Sequence, residues 1–197
     1  MTSQPEDFDL EPLNRTQLLV AIALTSIVLL VVSRLWLSLD SVERLPLKVS
    51  LTHTAVGLGL GLAITAASTL MFVLWPAYRR SAEFYLKFVL KPLVLPDVIW
   101  LGLLPGLSEE LLFRGVMLPA LGLTPLGLIV SSLCFGVLHL SGIRQWPYVV
   151  WATVIGLVLG GSAIATGNLW VPMVAHVITN LVSSFFWKLR EVRATVK

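Results

Sequence analysis

The chain of 197 residues is 56% hydrophobic and only 13% charged, with a mean hydropathy of +0.87. Soluble domains carry about 25% charged residues, so an ordinary soluble domain and a disordered chain are both excluded, and a single cysteine, Cys134, excludes a disulfide scaffold. The net charge of +3 comes from cations scattered at segment ends, without the basic stripe of a nucleic-acid binder.

What remains is an all-α, polytopic transmembrane helical bundle whose first partner is the lipid bilayer. Residues 1–15 are polar and acidic, with no basic n-region or small-residue cleavage site, and are expected to form a cytosolic tail rather than a signal peptide. Residues 16–96 hold the N-terminal transmembrane helices and an interfacial segment. A bilayer core of about 30 Å needs roughly 20 apolar residues of helix, and residues 18–39 and 49–75 supply the first two spans. Gly57, Gly59 and Gly61 in the second span mark a face for close helix approach. His53 stands at its entrance, at the interface. Residues 78–95 set Arg79, Arg80, Lys87 and Lys91 among Phe84, Tyr85, Phe88 and Val89, the pattern of an interfacial helix with cations at headgroup level.

Residues 97–187 supply four further spans, at 98–118, 125–140, 148–165 and 169–187. Gly156 and Gly160 form a GxxxG on the fifth of the six. A basic tail, 188–197, follows. Ten of the fourteen Lys and Arg fall on one side of this map, three (Arg34, Arg44 and Lys48) on the other, and Arg114 lies within a span. The positive-inside rule therefore predicts both termini in the cytosol, or in the equivalent stroma.

Polar residues at membrane depth carry the chemistry. A charge there costs at least about 2.5–3.5 kcal/mol, and the third span holds Glu109, Glu110 and Arg114. Glu110 and Arg114, four apart, share a helix face and are expected to neutralise one another. Glu109 points about 100° away with no cation at helical spacing. It needs a partner on another helix, and His139 and His176 are the natural ones. Asn180 lies one turn after His176, on the same face. Glu, two His and Asn can activate a water and hold an oxyanion. The same groups can ligate a metal, as Glu and His do in many zinc sites. There is no HExxH. Ser108 has no base at short range and is read as a local cap after Pro105 and Gly106. Cys134, with no cation beside it, is read as packing. By rise per residue, Glu109 and His176 fall nearer mid-membrane than His139, which closes its span.

These residues resemble a known family. Ser108 to Gly115 fits E-E-x-x-x-R, Phe135 to His139 fits F-x-x-x-H, and His176 to Asn180 fits H-x-x-x-N. Three such motifs, in this order on apolar helices, resemble the CPBP intramembrane proteases, also called the Abi family, which include CAAX prenyl endopeptidases. The resemblance covers residues 97–187, and the run from Gly167 to Pro172 looks familial too. It implies an endopeptidase in which Glu109 and His139 activate the attacking water and His176 and Asn180 stabilise the oxyanion. Glu110, Arg114 and Phe135 would support them from behind. It leaves open a Zn2+ on Glu109, His139 and His176, which would need a further carboxylate or amide oxygen. The implied partner is a membrane-associated or prenylated peptide or protein. The implied setting is a bacterial cell membrane, or a thylakoid or plastid membrane. Two other functions stay open: the resemblance also implies, as an alternative, a non-proteolytic scaffold, assembly or immunity factor of the same fold, and buried Glu and His can also build a proton or ion transporter. The missing two-fold repeat of spans counts against the transporter.

Overall fold

The structure, a computed structural model, describes residues 13–40 and 42–195. Most of the expected N-terminal tail, 1–12, and residues 196–197 lie outside it. The described residues form helices and connecting loops with no strand. Helix α1 (Arg15–Leu39) starts three residues before the apolar run because Asn14 and Gln17 form a reciprocal capping box. Helix α2 (Leu51–Leu74) is capped by Ser50, whose hydroxyl accepts from the His53 backbone and also hydrogen-bonds the His53 ring. His53 is thus committed to its own helix end.

Pro76 opens α3 (Pro76–Leu90), and the chain turns by 107° between α3 and the segment Leu95–Ala120. That segment contains α4 (Val98–Glu110), a π-helical stretch Leu111–Met117, and the short α5 (Leu118–Ala120). Then come α6 (Pro125–Leu138), α7 (Trp146–Thr166) and α8 (Trp170–Thr195). Helix α8 runs on through the basic segment from Lys188, and buried Lys188 donates to the Leu90 carbonyl at the end of α3.

The polytopic helical bundle holds, but not the count of six spans. Among the described residues four helices are long and apolar enough to cross a membrane, and a fifth arises only if bent α3 and Leu95–Ala120 count together. The expected third span is diluted by its own charges. The expected fourth, α6, has 14 residues, about 21 Å at 1.5 Å per residue, short of a bilayer core. Ser108 is a second correction. It lies inside α4, not at a helix start, because the helix continues through Pro105 and the Ser108 hydroxyl donates 2.7 Å back to the Leu104 carbonyl.

Helix α8 is the centre of the bundle, packed chiefly against α2 and α4. The contact with α2 is made by Gly57 and Gly61. A Cβ on Gly57 would stand 2.7 Å from Val174 Cβ, and one on Gly61 would stand 2.6 Å from the Ala175 carbonyl. Gly59 meets nothing within 4 Å and takes no part. Gly156 and Gly160 bring α7 against Ser132 and Leu128 of α6. In lipid such backbone approach replaces hydrophobic burial as the source of association.

The extended strap 42–50 closes the end of the bundle opposite α3. The Leu45 amide donates to the Gly115 carbonyl within the π-helical stretch, and its buried side chain packs on Ala163, Leu169 and Met173. Asn168, in the tight turn between α7 and α8, holds the Lys48 amide and carbonyl through its side chain. The turn itself needs Gly167 at φ 58°. This accounts for the Gly167–Pro172 run without catalysis.

Because Gly61 faces a backbone carbonyl and Gly59 faces open space, Gly61→Ala should lower thermal stability in detergent by about 1–3 kcal/mol. Gly59→Ala should leave it unchanged or raise it by up to about 1 kcal/mol through helix propensity.

Candidate active site

The buried charged and imidazole groups of the three motifs sort into two sets. Arg114, 1% exposed, donates from Nη1 to Glu110 Oε1 at 2.6 Å and from Nη2 to the Gly156 carbonyl at 3.1 Å. Its guanidinium also lies over the Phe135 ring at 4.2 Å. Glu110 is fully buried, and the same Oε1 accepts from His176 Nδ1 at 2.8 Å. One carboxylate oxygen thus ties α4 to α8, and its arginine ties the π-helical stretch to α7. The expected Glu110–Arg114 pair is present, although the backbone between them is π-helical, a wider turn common at functional sites.

His176 therefore belongs to Glu110, not to Glu109. A carboxylate only accepts, so Nδ1 carries the proton and Nε2 is left for the cavity. Among the described residues the imidazole that faces Glu109 is that of His139. His139 Nε2 stands 3.8 Å from Glu109 Oε2, and that buried oxygen has no hydrogen-bond partner among the described residues. The gap is too long for a direct hydrogen bond and short enough for one water to touch both groups.

The F-x-x-x-H spacing explains how His139 is held. His139 is the C-cap of α6, and its amide bonds to Gly136 and Val137 rather than to Phe135. The Phe135 carbonyl, one of the orphans at a helix end, accepts instead from His139 Nδ1 at 2.9 Å. A carbonyl cannot donate, so neutral His139 has its proton on Nδ1 and a bare lone pair on Nε2, toward Glu109. The Phe135 ring meanwhile packs near both imidazoles, with centroids 4.8 Å from His139 and 5.7 Å from His176.

The discrepancy in depth between Glu109 and His139 is resolved by the length of α6. Because α6 stops after 14 residues, its C-cap stands level with Glu109. Glu109, His139, His176, Asn180 and Phe135 all line one cavity of about 620 Å³, while Glu110 and Arg114 sit behind its wall. The lining comes from the first half of α1, the last half of α2, α3, α4, the first half of α7 and α8 from His176 onward, so the cavity lies toward the α3 end. Among the described residues no three His, Cys, Asp or Glu side chains are drawn together as metal ligands. The set Glu109, His139 and His176 is divided by the commitment of His176 to Glu110.

Sequence reasoning missed the Gly156 carbonyl as a partner of Arg114 and the tyrosines Tyr85 and Tyr148 beside His139. The glycine carried a signal, since a GxxxG position exposes backbone. The tyrosines carried none beyond their place among interfacial aromatics.

Comparison with known proteins fits this geometry. The family model of type II CAAX prenyl endopeptidase Rce1-like proteins matches residues 91–182, which include every residue of the three motifs. Uncharacterized protein YpbD of Bacillus subtilis (strain 168) is 31% identical over 137 residues, 70% of this chain and 70% of that protein. The chain belongs to the Rce1-like (CPBP) family. No solved structure matches it significantly. Membership supports a CAAX-protease-type fold in an integral membrane protein, and the match ends on the turn of α8 that carries Asn180.

Removing one partner of a buried ion pair strands the other. Arg114→Met should therefore lower unfolding stability by about 3–5 kcal/mol, and Glu110→Gln in the same chain should restore part of that. Arg114→Lys should not substitute, because one ammonium cannot match the planar fork that serves Glu110 and Gly156. Thermal unfolding of the purified variants in detergent checks all three.

Proposed function

We propose that this protein is an intramembrane endopeptidase hydrolysing a peptide bond in a membrane-associated or prenylated peptide or protein. One observation carries the reading: a buried carboxylate oxygen of Glu109 without a hydrogen-bond partner among the described residues, 3.8 Å from the bare Nε2 of His139, on the floor of a 620 Å³ cavity. Burying an acid unpaired in a membrane helix is costly, and a water-activating role gives it a reason.

A water between Glu109 and His139 loses its proton to this pair as its oxygen attacks the scissile carbonyl carbon. The carbonyl oxygen becomes an oxyanion. Asn180 can donate to it from its amide, and His176 from Nε2. With Nδ1 already donating to Glu110, donation from Nε2 requires the ring to carry both protons, and Glu110 is then its counter-ion. The proton collected from water passes to the amine as the C–N bond breaks, and two peptides leave. The membership of the chain in the Rce1-like family supports the same reaction class. The excess of cations at the α3 end supports an opening toward the cytosol.

The test uses the purified protein in proteoliposomes with two probes, a farnesylated C-terminal peptide and an unprenylated apolar leader peptide. Glu109→Gln should reduce cleavage by about 10²–10⁴-fold, and Asn180→Ala by about 10²–10³-fold, with unchanged insertion and elution volume. Cleavage by Glu109→Gln at the wild-type rate overturns the mechanism. Full complementation of a deletion strain by Glu109→Gln overturns the peptidase reading in favour of a scaffold.

A further inference from the structure

The two histidines of the site are secured by different means. His176 lies inside α8, buried, with Nδ1 fixed on a fully buried carboxylate. His139 lies past the last turn of α6, at φ −90° and ψ 7°, and is followed by exposed Leu140, Ser141 and Gly142. One hydrogen bond to the Phe135 carbonyl restrains its ring. A single bond at one nitrogen allows the ring to swing about that contact, and a swing of about 1 Å is enough to cost roughly 10²-fold in rate. Side-chain packing must supply the remaining restraint.

Phe135 supplies part of it from the same helix. The rest comes from two other helices. Tyr85 of α3 and Tyr148 of α7 approach the imidazole with centroids 6.4 and 6.2 Å away, each tilted by 47°. The two tyrosines stack on one another at 4.7 Å and 21°, and Tyr148 stacks in turn on Tyr78 at 6.2 Å and 10°. Tyr78 stacks on Trp75, just before α3, at 6.1 Å. These are the offset geometries that aromatic pairs favour. The result is a continuous wall running from the start of α3 to the floor of the cavity, which both tyrosines line. Among the described residues neither phenol hydrogen-bonds His139 or Glu109, so the contact is made by the rings.

We propose that the stacked rings of Tyr85 and Tyr148 are the positioning wall of the site, holding His139 with Nε2 toward Glu109. For its effect on turnover the inference rests on the reading of His139 as a water-activating group. It gives α3 a task beyond linking spans: the interfacial helix carries one side of the catalytic geometry, and any shift of α3 along the membrane surface moves a wall of the site.

The test measures His139 directly and needs no substrate. Protein labelled with ¹⁵N-histidine is placed in lipid nanodiscs at about pH 8, where an ordinary imidazole is neutral. His139→Gln assigns its signals. Wild type, Tyr85→Phe and Tyr148→Phe should show one tautomer, protonated at Nδ1. Tyr85→Leu and Tyr148→Leu should show mixed or averaged tautomers, and on either peptide probe kcat should fall at least about tenfold, with KM little changed. Folding of each variant is checked by elution volume, and the two positions serve as independent replicates should one leucine variant unfold. An unaltered His139 spectrum in a folded leucine variant overturns the proposal. So does a phenylalanine variant as impaired as its leucine counterpart, which would assign the effect to the hydroxyls. If the wild type cleaves neither peptide while its His139 spectrum responds as expected, the peptidase reading fails and the wall stands.

Discussion

A buried carboxylate and a buried guanidinium, four residues apart in a membrane helix, set the terms for the rest of the molecule. Neither Glu110 nor Arg114 can be placed there alone, since an unpaired charge in hydrocarbon is too costly to retain. Their pairing satisfies one carboxylate oxygen and part of the guanidinium. What is left over recruits other helices: the second guanidinium nitrogen takes the Gly156 carbonyl of α7, and the shared carboxylate oxygen takes His176 of α8. An ion pair that neutralises itself in sequence terms thus joins three elements in space. It does so behind the cavity, which leaves Glu109 as the acid facing inward.

The packing around this knot is set by glycine. Helices α2 and α4 both lie against α8 where a side chain would collide, at Gly57 and Gly61 on one side and Gly106 on the other. These contacts fix the rotation and axial position of α8, and so of His176 and Asn180. Helix α6 is positioned differently. It is short, it packs against α7 across Gly156 and Gly160, and its end stops level with Glu109. An early stop leaves orphan carbonyls, and His139 satisfies one of them while presenting its other nitrogen to Glu109. The termination of a helix is here the device that turns an imidazole toward Glu109.

The two ends of the bundle differ accordingly. At one end the strap 42–50 is bonded to the π-helical stretch and to Asn168, and Leu45 plugs the core. At the other, α3 lies across the helix ends and contributes tyrosines to the cavity wall. The bundle is closed at one end and carries its cavity, lined with aromatic and hydroxyl side chains, at the other.

The sequence by itself determined the class of the protein, the residues of the three motifs and the Glu110–Arg114 pair. Composition requires a membrane, charge at depth must be explained, and residues four apart on a helix are neighbours whatever surrounds them. It also identified the faces of Gly57, Gly61, Gly156 and Gly160, because small residues leave a mark in the pattern. It misjudged Gly59, and it counted α6, whose end it placed within two residues, as a full span. Only the tertiary structure decided that His176 serves Glu110 while His139 serves Glu109, that Arg114 also holds Gly156, and that α3 delivers Tyr85 to the site. Spacing along a helix fixes partners within that helix. Partners on different helices depend on rotation and axial shift, and those are set by backbone contacts that become visible only once the helices are packed.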